Sequence, residues 1–226
     1  MHFSRVRILP GANLIRFLGE IKKRGVYGSH QFLWNLFPND PDAKRDFLFR
    51  EVKEEDFPTF YLVSGRLPEE KEGIEVRSKP YQPRLAKGQR FRFDLRANPT
   101  MAQKDAHGKS LRHDVIMAAK KAAKANGKAP PLLEEELDTA KNWLLTRASK
   151  LGFELETHAF LAESYLQYLL HKDGSSKPIR FSSVDFRGVL QIIDPEAFAQ
   201  ALNNGVGRCK AFGCGLMLVK KFEDAD

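Results

Sequence analysis

A chain of 226 residues with 42% hydrophobic residues, 29% charged residues and 17 Phe carries enough core material to exclude an intrinsically disordered polypeptide. Its length suits one large domain or two small ones. A formal net charge of +8 and a pI of about 9.4 point to a polyanionic partner, because each Lys or Arg on a phosphate releases a counterion.

Charge alone admits nucleic acid or an anionic membrane surface, but no apolar run approaches the roughly 18 residues of a membrane span. The start, Met1-His2-Phe3-Ser4-Arg5, alternates in polarity and has no signal-peptide apolar region. Two cysteines, Cys209 and Cys214, are too few for a disulfide framework and imply a reducing, cytoplasmic setting. Zinc would need more ligands than this pair.

In chain order, residues 3–9 alternate as a strand that Pro10-Gly11 breaks. Apolar residues at helical spacing predict a helix over 13–23, stopped by Gly25. A second helix is expected to begin at Ser29, a good N-cap residue, and to run to Pro38. Residues 46–52, 59–63 and 90–95 read as strands, while 68–88, with Pro80 and Pro83, reads as irregular. This β-α-β-β…β order suggests a ferredoxin-like unit over residues 1–99, with its second helix hard to see.

The next segment, 101–114, is polar and reads as a surface loop. Helices are predicted over 115–124, rich in Ala and Lys, and over 132–150, stopped by Gly152. Residues 153–173 and 179–193 form strands around an Asp173-Gly174-Ser175-Ser176 turn. Asp194-Pro195-Glu196 opens a further helix that ends near Gly205, and 216–222 is a last strand. Residues 100–226 therefore form a second α+β unit, and the two halves fit divergent copies of one unit.

Between that last helix and strand lies Gly205-Val206-Gly207-Arg208-Cys209-Lys210-Ala211-Phe212-Gly213-Cys214-Gly215. A nucleotide P-loop needs Gly-Lys followed by Ser or Thr between a strand and a helix, and a Rossmann turn needs the same order of elements. Neither fits. Spacing favours a tight connection that needs positive φ; the functional alternative is a backbone cradle for phosphate with Arg208 and Lys210 beside it.

This segment resembles the glycine-rich signature of RAMP proteins, and further segments narrow the resemblance to the CasE family of CRISPR repeat endoribonucleases. They are Tyr27-Gly28-Ser29-His30 with Leu33-Trp34 and Phe37-Pro38, then Asp46-Phe47-Leu48-Phe49-Arg50. Lys79-Pro80, Gly88-Gln89-Arg90-Phe91-Arg92-Phe93, Leu95-Arg96-Ala97-Asn98-Pro99 and Phe186-Arg187-Gly188-Val189-Leu190 follow in family order. The match thins over 10–26 and 101–130.

The resemblance implies an α+β fold of two tandem ferredoxin-like (RRM-like) domains with antiparallel sheets, 1–99 bearing the catalytic helix and 100–226 bearing a basic loop, a hairpin and the glycine loop. It implies binding of a CRISPR repeat stem-loop, cleavage of pre-crRNA at the base of the stem, retention of the crRNA, and membership of a type I-E Cascade complex. The implied chemistry is attack by the RNA's own 2′-hydroxyl, leaving a 2′,3′-cyclic phosphate, with no metal or other cofactor. The nucleophile already adjoins the phosphorus, so the protein must align it, move protons and stabilise charge.

Residue type and position alone favour a surface histidine at His30; the resemblance makes it the catalytic choice, as general base or general acid. Tyr27 matches the second catalytic position, against the alternative of a packing aromatic. Arg96 and Asn98 match the central strand motif as RNA-binding positions. Lys109, Arg112 and His113 match a basic loop, and Lys172, Lys177 and Arg180 match a basic hairpin on the RNA stem. Gly205, Gly207, Arg208, Lys210, Gly213 and Gly215 complete the expected RNA contacts. Each cation reads equally well as a solvated surface charge. Two other classes remain open: a non-catalytic crRNA-binding RAMP subunit and a general basic nucleic-acid-binding domain.

Overall fold

The computed structural model describes residues 1–11, 14–38, 45–54, 57–104, 107–170 and 178–222. The first sheet is built from β1 (His2–Ile8), β2 (Phe47–Glu54), β3 (Phe57–Ser64) and β4 (Ile74–Pro80), in the order β2-β3-β1-β4 and antiparallel throughout. Helices α1 (Leu14–Arg24) and α2 (Val26–Trp34) lie between β1 and β2. Alternation along β1 turns Val6 and Ile8 toward one face, where Phe47, Phe49, Phe60 and Leu62 meet Leu33, Leu36 and Phe37. Each of these fully buried side chains contributes roughly 1.5–3 kcal/mol.

The second sheet repeats the plan. Strands β5 (Arg90–Ala97), β8 (Phe153–Leu170), β9 (Ile179–Ile192) and β10 (Met217–Lys221) are ordered β10-β5-β9-β8. With β5 and β1 as first strands, both sheets read fourth-first-third-second, the ferredoxin-like order. Helices α3 (Val115–Ala125), α4 (Leu133–Ala148) and α5 (Pro195–Asn204) belong to this half. Phe91, Phe93, Leu95 and Ala97, the alternate residues of β5, enter a core with Trp143, Leu144, Phe186 and Phe198.

Four sequence expectations change. Strand 90–97, assigned to a first unit ending at 99, pairs with β9 and β10, so the sheets divide within 81–89. Helix α2 begins at Val26, not Ser29: Gly25, at φ 55°, breaks the chain after α1 and leaves Tyr27, Ser29 and His30 inside one helix. The irregular stretch contains β4, an edge strand whose weak alternation and terminal Pro80 hid it. The polar loop 101–114 is mostly a two-stranded hairpin, β6 (Thr100–Lys104) with β7 (Ser110–Asp114), too solvated to show a hydrophobic period. Residues 65–73, between β3 and β4, hold no helix, which explains the faint second helix of the first unit.

The first sheet is buried on both faces. Leu48 and Val63, opposite to the α2 side, pack against Leu216 and Leu218 at the start of β10, with Phe3, Tyr61 and Tyr81 alongside. Arg50 shares that face with Leu48 by period two, and reaches Asp185 on β9 at 2.9 Å and Asp94 on β5 at 2.7 Å. Thus β2, the strand following the α2 helix, is bonded directly to the second sheet. No helix among the described residues is long and apolar enough to cross a membrane.

Candidate active site and nucleic-acid interface

Tyr27 and His30 stand three residues apart on α2, which places them on one helical face. Their ring centroids are 6.4 Å apart. His30 is held in an aromatic nest, stacked on Phe47 at 5.7 Å and tilted against Trp34 at 5.9 Å. Its Nδ1 is buried without a hydrogen-bond partner. Burial, and then the nearby Arg45 guanidinium, pull the imidazole pKa down to about 4, so the free protein carries neutral His30 at pH 7. Ser29, between the two candidates, points inward and donates from Oγ to Glu51 Oε2 on β2 at 2.9 Å. That bond pins the helix to its sheet.

Arg45 connects this histidine to the glycine loop. It donates to the Phe47 carbonyl, and its charge, after burial, lowers the pKa of Lys210. Helix α2 packs against the short 3₁₀ turn Lys210–Phe212. From there a cleft of about 1220 Å³ opens between the loop, β8, β9 and the β6–β7 hairpin. Among the described residues its lining includes Arg45, Arg112, Arg180, Arg208 and Lys210 against a single carboxylate, Asp114. Asp114 accepts the Ser182 hydroxyl and caps α3 through Met117 N at 2.8 Å, so it is engaged within the protein. His30 and Tyr27 do not line the cleft; Arg45 is the residue common to both regions.

The glycine loop takes its shape from positive φ at Gly205, Gly207, Gly213 and Gly215. At Gly215 (φ 95°) an added Cβ would sit 3.0 Å from the Val206 carbonyl oxygen, and the Gly215 amide donates to Arg96 O at 2.7 Å. At Gly205 a Cβ would meet Leu48 at 2.9 Å, and its amide donates to Ala201 O. These two amides are committed inside the protein, so the loop presents Arg208 and Lys210 rather than a cradle built on Gly205 and Gly215.

Arg96 and Asn98 are engaged as well. Arg96 grips Asp185 through Nε and Nη2, both at 2.7 Å. Buried Asn98 donates to Ser182 O at 2.8 Å and accepts from Cys209 Sγ at 3.4 Å. Both residues hold the loop against β9. Of the basic loop, Arg112 reaches the cleft, whereas Lys109 lies at the exposed hairpin turn and His113 pairs opposite Met101. Arg180 is exposed on β9 and lines the cleft. Lys172 and Lys177 lie outside the described residues, as does the Asp173 to Ser176 turn. Cys209 and Cys214 are free thiols, and burial pushes them up to about 11 and about 12.

Tyr168, Phe181, Phe212 and Arg45 line the cleft and were not among the expected site residues. Tyr168 and Phe181 stack at 4.5 Å, and Phe181 stacks on Phe212 at 5.0 Å. Tyr168 and Phe181 showed only alternation in two strands, indistinguishable from core, and Phe212 only a place in the glycine segment. Arg45 carried no signal among 37 Lys and Arg.

Comparison with known proteins resolves the family. The model of CRISPR-associated proteins matches residues 1–221. The Escherichia coli K12 CRISPR system Cascade subunit CasE is 30% identical over 202 residues, covering 86% of this chain and 91% of the relative. The chain belongs to the CasE/Cse3 family. The Thermus thermophilus CRISPR-associated endoribonuclease Cse3 is 34% identical over 149 residues, 62% of this chain and 60% of that protein. The structure of CRISPR endoribonuclease Cse3 bound to a 19-nucleotide RNA superposes with a TM-score of 0.69 at 25% identity, covering 96% of this CasE/Cse3 chain and 98% of that one. The two ferredoxin-like sheets are therefore the family fold, as the motif order implied.

Proposed function

We propose that this protein binds a CRISPR repeat stem-loop and cuts pre-crRNA at the base of the stem without a metal ion, then retains the crRNA within a type I-E Cascade complex. The reading is supported by relatives named as a Cascade subunit and as an RNA-bound endoribonuclease. The single observation that carries it is His30: a neutral imidazole with an unpartnered nitrogen, beside Arg45 at the edge of a cationic cleft.

In this mechanism the 2′-hydroxyl of the scissile nucleotide attacks its own phosphorus in line. The 2′-O–P bond forms as the P–O5′ bond breaks, leaving a 2′,3′-cyclic phosphate and a 5′-hydroxyl. Neutral His30 accepts the 2′-hydroxyl proton, and the departing O5′ takes a proton from water. Tyr27 hydrogen-bonds the phosphate or the hydroxyl. Arg45 and Lys210 stabilise the charge that grows on the phosphorane oxygens. Arg112, Arg180 and Arg208 hold phosphates of the stem, with Lys109 and His113 on the hairpin and Lys172 and Lys177 beyond the described residues. A-form RNA is gripped mainly through phosphates and 2′-hydroxyls, which suits cations spread over loops and strand ends. Arg96, Asn98 and the four glycines shape the loop that carries Arg208 and Lys210. The two free thiols fit a reducing cytoplasm.

The test is incubation with the repeat stem-loop in EDTA, with the cut mapped and both new ends identified. One cut at the stem base with a cyclic phosphate supports the proposal. Tight, repeat-specific binding without any cut makes the protein a crRNA-holding subunit, and equal binding to unrelated hairpins makes it a general nucleic-acid binder.

A further inference from the structure

The aromatic rings in the cleft form a column. Tyr168 on β8 and Phe181 on β9 lie 11° from parallel at 4.5 Å, and Phe181 and Phe212 lie 18° from parallel at 5.0 Å. Phe181 is the middle ring, so Tyr168 and Phe212 are the ends. Among the described residues no further ring or cation is seen over either end. All three rings are only half-buried and line the cleft together with Arg180 and Arg208. The Tyr168 hydroxyl meets the Ser183 hydroxyl at 3.2 Å, which fixes its ring.

The Trp143–Phe186–Phe160 stack is buried in the core, whereas this column stands at the wall of a charged cleft. Such a column has the form of a stacking platform: every nucleobase offers a π-face, and the flanking guanidinium groups meet its phosphates. A base inside an A-form stem has both faces covered by its neighbours, so the platform serves a base outside the helix. The column is one ring wide, matching a single base rather than a base pair. Phe212 belongs to the turn packed against α2, which carries His30.

We propose that the Tyr168–Phe181–Phe212 column stacks on one unpaired nucleobase adjoining the stem, and so positions the strand that enters the active site. This inference rests on the repeat-RNA reading above.

The experiment uses repeat RNA made uncleavable by a 2′-deoxy scissile nucleotide, with each unpaired nucleotide flanking the stem replaced in turn by 2-aminopurine or by an abasic site. One 2-aminopurine position is expected to be quenched on binding. The abasic site there is expected to weaken binding roughly 5- to 150-fold, the range of base–aromatic stacking. One of Y168L and F212L, the one at the end that holds the base, should remove that quench and be no weaker on abasic than on intact RNA, while Y168F keeps both effects. If the Leu variants fail to fold, the abasic series on the unaltered protein decides alone. Tight binding to every abasic RNA, equal to intact RNA, overturns the stacking role and leaves the processing proposal standing. Failure to bind the repeat at all overturns both.

Discussion

Arg50 and Asp185, 135 residues apart in the chain, meet across the two sheets with Nη1 donating to Oδ1 at 2.9 Å, their side chains only 3% and 8% exposed. Asp185 also accepts from Nε and Nη2 of Arg96, so one carboxylate bridges two guanidinium groups and joins β2, β5 and β9, while Asp94 is the second carboxylate on Arg50. Burial alone would raise its pKa; hydrogen bonds and charge from Arg96 and Arg50 outweigh that and hold it below the usual carboxylate range. Asp185→Ala leaves two cations without their shared partner, and a loss of about 3–5 kcal/mol is expected from urea unfolding at pH 7. A depressed folded pKa contributes stability above the unfolded value of about 4 and loses it as pH falls further. The wild-type advantage over Asp185→Asn should therefore shrink below pH 4. An advantage that persists there would contradict the assignment.

Ser29 is a positioning residue for the helix that carries Tyr27 and His30. Removing its bond to Glu51 by Ser29→Ala is expected to cost about 1.5–3 kcal/mol, as for other hydrogen bonds to charged groups. Single-turnover cleavage should slow while RNA affinity holds, and Glu51→Gln, which keeps an acceptor, should be milder. Unchanged cleavage with the same loss of stability would reduce the bond to a structural one.

In the proposed mechanism His30 sets the pH dependence. Its folded pKa of about 4 lies below the ordinary histidine value of about 6.5, so its contribution to stability is complete above pH 6.5 and is lost as pH falls toward 4. Cleavage at low RNA concentration reports the free protein and should hold its rate down toward pH 5. Cleavage of the saturated complex should show a higher apparent pKa, because the bound phosphate offsets the repulsion from Arg45. Identical profiles would show that substrate leaves the His30 environment unaltered.

The cleft cations and the strand-motif arginine should separate in a salt titration. Arg112→Ala, Arg180→Ala and Arg208→Ala are each expected to reduce the slope of log K against log salt by about 0.7–0.9, at little cost in stability. Arg96→Ala should instead lower the unfolding midpoint, since its guanidinium serves Asp185.

The sequence was most legible where period and chemistry agreed. Alternation in β1 and β5, Asp194 capping α5 ahead of Pro195, and the order of motifs led directly to the elements and the family. It was least legible where a residue's role depends on a distant partner. Arg96 and Asn98 stood out through a strand motif, but the sequence could not show that Asp185, Ser182 and Cys209 face them. Ser29 read as a cap because its acceptor, Glu51, lies 22 residues away. The doubly apolar run Phe47-Leu48-Phe49 did hold a clue: a strand apolar on both faces is covered on both, which places Arg50 between the sheets. The aromatic column brings together two strands and a loop, and only the fold assembles it.

The central claim is cleavage through His30 and the RNA's own hydroxyl, and one experiment addresses it most directly. The repeat stem-loop is cut in EDTA by wild-type protein and by His30→Ala, with intact RNA and with RNA lacking the 2′-hydroxyl at the scissile nucleotide. The account expects wild-type cleavage of intact RNA only, a rate roughly 10²–10⁴-fold lower for His30→Ala, and undiminished binding in every combination. Full-rate cleavage by His30→Ala, or cleavage of the 2′-deoxy RNA, would contradict it.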